Sequence, residues 1–198
     1  MEWDEYRDLI QSAGYRYNVP ALFADADAFA AFCEDVLDPY DADEVDQVAG
    51  IDAIGFVPGA VLAWELDAGF VSVRKGGKLP IAEEHRISDS LVDYTGEEKT
   101  LELDTRMVDD GARTLLVDDW METASQMTTA LDLLERAGAD VVGIAVLDVR
   151  GSAAPAGQPE ASASGDAEEN EVPLELDEEY GVHTIRPWHE LGTPEREQ

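Results

Sequence analysis

Apolar residues first recur at helical spacing. Trp3, Tyr6, Leu9 and Ile10 share one side of a helix expected over 3–13, and Phe29, Phe32, Cys33, Val36 and Leu37 share one side of a second over 26–38. Asp25 or Asp27 suits the N-cap of that second helix, and Pro39 closes it. The period then changes. A short apolar run predicts a strand at 47–51, followed by a helix from about Pro58 to Leu66 and a strand at 70–74. Residues 75–100 read as a polar excursion, and 100–107 as another strand. A strand at 114–117, a helix over 124–137 and a strand at 141–147 make a βαβ unit. Its helix places Met127, Ala130, Leu131 and Leu134 at i, i+3, i+4 and i+7 and stops at Gly138. At 180–188, Val182, Thr184 and Arg186 alternate with His183 and Ile185 in an expected edge strand ended by Pro187. Strands alternating with helices imply an α/β fold: a largely parallel twisted sheet with helices on both faces.

These elements divide the chain. Residues 1–45 form an N-terminal helical hood, 46–150 the α/β core, and 172–198 a C-terminal strand and tail. Between the last two, residues 151–171 are rich in Ala, Ser, Gly, Pro and Glu and show no apolar period, so a disordered acidic insertion is expected there.

Charge changes the setting. Forty-five acidic residues against thirteen basic ones give a net charge of −32 in 198 residues, and only Lys75, Lys78 and Lys99 are lysines. Hydrophobic content of 44% with clear periodicity argues for a folded chain over an acidic disordered one. Molar salt shortens the Debye length to roughly 3 Å and screens such self-repulsion, so a salt-adapted microbe is the expected source. Direct binding to nucleic-acid phosphates is not expected, because no basic face exists to release counterions. No run of eighteen apolar residues occurs, and the acidic start Met-Glu-Trp-Asp-Glu-Tyr lacks a hydrophobic leader; a cytoplasmic protein with no membrane partner is expected. Cys33 is the only cysteine and falls on an apolar helix face, as a buried small hydrophobe would.

The chemistry concentrates at 114–126. The apolar strand ends in Asp118 and Asp119, and a short loop (Glu122, Thr123, Ala124, Ser125, Gln126) then opens a helix. Open α/β sheets place their ligand crevice at the C-terminal ends of strands. Unpaired amides at a helix N-terminus attract phosphate. Paired acids beside such amides suit a phosphorylated sugar, the acids accepting from ribose hydroxyls and the amides holding a 5′-phosphate. The cluster Arg74-Lys75-Gly76-Gly77-Lys78 stands out in a chain that otherwise avoids lysine. Arginine forks onto phosphate oxygens, lysine adds point charge, and glycine lets the backbone approach a diphosphate. The run Asp41, Asp43, Glu44, Asp46 lacks the glycine and distal glutamate of a calcium loop, and His85, His183 and His189 show no ligand spacing.

Three segments in register, over about residues 46–147, resemble the type I phosphoribosyltransferase family and its adenine branch. Strand-Asp118-Asp119 with Thr123 is similar to the family's motif for 5-phosphoribosyl diphosphate (PRPP), which continues Ala-Thr-Gly-Gly-Thr. Gly50-Ile-Asp-Ala-Ile-Gly-Phe followed by Arg74-Lys-Gly-Gly-Lys-Leu-Pro resembles the adenine branch's Gly-x-Asp-(Ser/Ala)-Arg-Gly-Phe and Arg-Lys-x-Gly-Lys-Leu-Pro. Leu91-Val-Asp-Tyr-Thr-Gly with Leu101-Glu102 resembles its mobile active-site loop.

The resemblance implies transfer of phosphoribosyl from PRPP to a purine, most simply adenine, by a homodimer using magnesium held through PRPP and water. Asp118, Asp119 and Asp93 would be catalytic. Asp118 and Asp119, with residues 122–126, would hold ribose 5-phosphate. Arg74, Lys75 and Lys78, together with Asp52 and Ala53, would face the diphosphate, and Val19 and Phe23 are candidates near the base. The chain departs from the family at Ala124-Ser125, where paired glycines are usual, and at Ile54, where arginine is usual; Arg106 or Arg113 are candidates to replace that cation. These departures keep open a second class, a PRPP-binding regulator with little or no catalysis.

Overall fold

The structure is a computed structural model that describes residues 1–10, 18–92, 97–121, 124–149 and 174–185. Its centre is five parallel strands: β1 (Gln47–Ile51), β2 (Gly69–Lys75), β5 (Arg113–Met121), β6 (Asp140–Val149) and β7 (Val182–Thr184). An antiparallel hairpin, β3 (Arg86–Val92) and β4 (Glu98–Asp104), adds to the β2 edge. The sheet order is β3-β4-β2-β1-β5-β6-β7.

Period-2 alternation sends side chains into two layers. Ala49, Ile51, Leu116, Ile144 and Val146 pack with Met127, Ala130, Leu131, Leu133 and Leu134 of α5 (Ala124–Ala137) and with Leu176 of α6 (Leu174–Tyr180). On the other face Val48, Leu115, Val117, Ala145 and Leu147 meet α1 (Trp3–Leu9), α2 (Pro20–Phe23), α3 (Ala26–Leu37) and α4 (Phe56–Glu65). Strands buried on both faces carry continuous apolar runs, which is why β1 and β5 were readable as strands. Asp25 caps α3, its carboxylate accepting from the Asp27 and Ala28 N–H groups at 3.1 and 2.9 Å. Gly138 ends α5 at φ 107°, a conformation open to glycine without strain. Cys33 is buried.

Several elements differ from expectation. The polar excursion at 75–100 contains β3: Ile87 and Leu91 pack inward while Ser88, Asp89 and Ser90 are exposed, so its short apolar side was hidden among charges. The strand expected at 114–117 continues through both acids to Met121, paired with β6 as far as Val149. The short helices α2 and α6 were not anticipated. The first helix is described as Trp3–Leu9 with Ile10 as its C-cap, and residues 11–13 of its expected span lie outside the described residues. Residues 151–171, Arg186 and Pro187 also lie outside them. Among the described residues no helix is long and apolar enough to cross a membrane.

Candidate active site

The chain passes from β1 to β2 on one side of β1 and returns as β5 on the other. Such a reversal opens a crevice beyond the strands' C-terminal ends. β1 pairs with β5 as far as Gly50 opposite Val117, so Asp118 is the first residue of β5 beyond that pairing. There it meets the turn from β1 into α4. A Cβ on Gly55 of that turn would lie 2.8 Å from Asp118 Oδ1.

Asp118 is 4% exposed. Its Oδ1 accepts from the Asp119 N–H at 2.9 Å, and its Oδ2 accepts from Gln126 Nε2 at 3.0 Å. Burial, and then the charge of Asp119, push the Asp118 carboxyl well above the usual carboxylate range. Asp119 is also raised, chiefly by burial, although hydrogen bonds and the charge of Lys75 oppose the rise. Two acids that resist being charged together form a site for groups that relieve this, such as hydroxyl donors, a hard cation or developing positive charge.

The basic cluster is organised by another acid. Asp52 is 5% exposed, and its Oδ2 accepts from Arg74 Nε at 3.0 Å, from the Lys75 N–H at 3.4 Å and from Lys78 Nζ at 3.4 Å. Burial raises the Asp52 carboxyl, but these cations and the amide outweigh it and hold the group below its ordinary value. The Arg74 guanidinium also lies 5.5 Å from the Phe56 ring centre. Glu102 of β4, 3% exposed, accepts from the Lys78 and Leu79 N–H groups at 2.6 and 2.7 Å and stands 3.5 Å from Arg86 Nε. The loop after β2 is thus held through its backbone, leaving the Lys75 and Lys78 side chains exposed.

The structure brings together Asp118, Asp119, the turn holding Asp52 and Ala53, and the Arg74–Lys78 loop. Ala124, Ser125 and Gln126 open α5 on the Asp118 side, with Ser125 Oγ donating to the Val92 carbonyl at 3.3 Å. Asp93, Glu122 and Thr123 lie outside the described residues. Val19 is buried in the helical layer, and Phe23 packs on Phe29 and Phe32 at 4.9 and 5.8 Å between ring centres. Arg106 and Arg113 do not replace the missing cation at Ile54. Each is held by its own carboxylate, Asp104 and Asp46, at the opposite end of the sheet near Gln47.

Three contributions escaped the sequence reading. Gln126 acts through its side chain as well as its backbone position, Glu102 holds the basic loop, and Phe56 lies against Arg74. A buried glutamate between Leu101 and Leu103 was the one visible signal among them.

The fold and its crevice define an open-sheet α/β protein with a ligand site at the β1/β5 switch point. A family model described as the phosphoribosyl transferase domain matches residues 17–179. Adenine phosphoribosyltransferases of Dinoroseobacter shibae and Bordetella avium are 39% and 41% identical over 133 residues, covering 66% of this chain and 70% and 69% of theirs. The solved adenine phosphoribosyltransferase of Rhodothermus marinus superposes with a TM-score of 0.74 at 27% identity, over 92% of this chain and 96% of that one. The Giardia lamblia enzyme complexed with 9-deazaadenine gives 0.68 at 26%, over 74% and 84%. The chain belongs to the phosphoribosyl transferase family, and the relatives it matches are named as phosphoribosyltransferases, which are pentosyltransferases.

Proposed function

We propose that the chain transfers the phosphoribosyl group of PRPP to a purine, with adenine the favoured base, releasing diphosphate and forming the nucleoside 5′-monophosphate in purine salvage. The observation that carries this reading is the Asp118–Asp119 pair at the switch point, Asp118 buried and Asp119 half-buried, with the Asp52-organised cation loop at the neighbouring turn and the α5 N-terminus beside it. Relatives named for adenine support the base.

In the reaction a purine ring nitrogen attacks the anomeric carbon. The carbon–oxygen bond to diphosphate breaks, and the leaving group takes the electron pair. Positive charge grows on the sugar, and a fixed carboxylate pair stabilises it without reorganising. Asp118 and Asp119 accept from the ribose hydroxyls, while the amides of 122–126 hold the 5′-phosphate. Arg74, Lys75 and Lys78 receive the charge that collects on diphosphate, with Asp52 and Ala53 lining that side. Asp93 is the candidate to take the purine's proton. Val19 and Phe23 stay assigned to the base side only as neighbours that shape it.

Magnesium suits this site through PRPP: its diphosphate and ribose oxygens are hard donors, and the acid pair fixes the ribose hydroxyls that would present them. Among the described residues no cluster of three or more metal-binding side chains occurs, so PRPP oxygens and water would complete its shell. Bound there, the ion would neutralise diphosphate charge.

The protein works as a homodimer in a salt-adapted cell, with the cytoplasm as its expected compartment. Two features support this: the −32 net charge, and an α4 whose segment Phe56–Trp64 carries no charge yet turns Val57 and Trp64 outward, 43% and 81% exposed. An acidic chain meets its own copy with least repulsion through such a face. The test of function is product formation at molar salt with magnesium and PRPP, offering adenine, guanine, hypoxanthine, xanthine and uracil separately. Product with adenine alone or foremost is expected; product with uracil alone would overturn the purine assignment. Ile54 favours the regulator reading, because no described arginine replaces the absent cation; tight PRPP binding without product from any base would establish it.

A further inference from the structure

Gln126 lies in the first turn of α5, and its carboxamide reaches back across the loop to the strand. Its Nε2 donates to Asp118 Oδ2 at 3.0 Å, while the Asp119 N–H serves the other oxygen at 2.9 Å. The backbone donor is fixed by the strand. The side-chain donor is fixed by α5, the helix whose N-terminus is assigned to the 5′-phosphate. We propose that Gln126 is a positioning residue for Asp118, tying the ribose-facing acid to the phosphate-binding helix so that the acid is aimed at the sugar when the sugar phosphate is seated. The inference rests on the transferase reading for its catalytic meaning, but the contact itself does not.

The physical need is plain. Asp118 is buried, and the carboxyl beside it belongs to Asp119. A buried carboxylate is stable only while donors satisfy it. The other charged groups around it are Asp52 with Arg74 and Lys78 at the neighbouring turn, and Lys75, whose charge acts on Asp119. These cations are directed to Asp52 or act on Asp119, whereas Gln126 donates to Asp118 itself. Its hydrogen bond favours the charged form, against burial and against Asp119. Position 126 is also where the family's PRPP motif closes in threonine, whose side chain is two atoms shorter; the longer amide gives this chain a reach of its own.

The test pairs two substitutions of similar length with opposite chemistry. Gln126→Met removes the donor, and Gln126→Lys keeps a donor and adds positive charge. Two readouts are taken at salt where circular dichroism shows the native fold. The first is the titration of the Asp118 carboxyl by ¹³C NMR in ligand-free protein labelled at aspartate, assigned by its loss in Asp118→Asn. The second is the pH profile of kcat/KM. Gln126→Met is expected to move the carboxyl titration and the acidic limb of the profile upward by about one pH unit, and to lower kcat on the order of 10- to 100-fold with less effect on the KM for PRPP. Gln126→Lys is expected to move both titrations the other way. A packing role alone would not reverse sign between the two. Unchanged carboxyl titration in both variants would overturn the proposal. Shifted titrations in a wild type that makes no product with any base would leave the Gln126–Asp118 coupling standing and overturn the transferase reading instead.

Discussion

Gly55 and Asp118 approach so closely that no side chain fits between them. A Cβ at position 55 would stand 2.8 Å from Asp118 Oδ1 and 2.9 Å from both the N and the O of Ile51. The carboxylate could swing aside, but the Ile51 backbone is fixed in β1. Gly55→Ala is therefore expected to destabilise the fold by about 1–3 kcal/mol, the usual range for overpacking, and to lower turnover because Asp118 shifts with the turn. Denaturant melts and initial rates on the same preparation check both effects. Unaltered turnover would mean that the turn and the acid are not mechanically linked.

Asp118 should trade stability for activity. Its carboxyl is raised by burial and by Asp119, so the folded state binds the proton more tightly than the unfolded state does. Its contribution to stability is then complete below the unfolded value near ~4 and is lost as pH rises through the higher folded value. Asp118→Asn should stabilise the ligand-free protein at pH 7 to 8, change little near pH 4, and lower turnover on the order of 10²- to 10³-fold through lost electrostatic stabilisation. Melts at the two pH values check the sign. Asp46 gives the opposite case. Its hydrogen bonds from Arg113 hold it down at about 2, so its contribution is present at neutral pH and fades as pH falls toward that value.

Lys78 can be cut back without dismantling its loop, because its backbone N–H and that of Leu79 are what Glu102 holds. With Ile54 contributing no charge, Lys78 should carry a large share of leaving-group stabilisation. Lys78→Ala is expected to reduce kcat about 10- to 100-fold while changing the KM for PRPP much less. Steady-state kinetics over a PRPP series distinguishes this from a simple binding role, in which KM alone would rise.

Trp64 tests the proposed pairing of two copies. Trp64→Glu places a charge on the one uncharged helix face described above, 81% exposed in the single chain. Sedimentation at molar salt should show a dimer for the wild type and a monomer for the variant. Dimers that persist in the variant would move the interface elsewhere.

Much of this architecture was readable in the residues. The switch from a continuous apolar run to period 3.6 and back marked β5, α5 and β6, as strands buried on both faces require. Asp118 and Asp119 were visible because carboxylates rarely end such a run. β3 was not, because its inward face interrupts Ile87 and Leu91 with Asp89 while Ser88 and Ser90 face the other way, leaving only two apolar residues as its signal. Side-chain partnerships were hidden for a different reason. Gln126 to Asp118, Glu102 to the loop after β2, and Asp52 to three separate donors join elements whose spacing depends on the tertiary fold. The arginines at 106 and 113 show the same limit from the other side: they matched the site in charge, yet the sheet carries them to its far end.

The most direct measurement is a single-turnover experiment at molar salt, with enzyme in excess over PRPP and with magnesium and adenine present. Nucleoside 5′-monophosphate and diphosphate are expected to appear together at equal yield in the wild type, and at least about 10²-fold more slowly when Asp118 and Asp119 are both replaced by asparagine. A double variant that turns over at the wild-type rate, or a folded wild type that binds PRPP and forms neither product, would contradict that expectation.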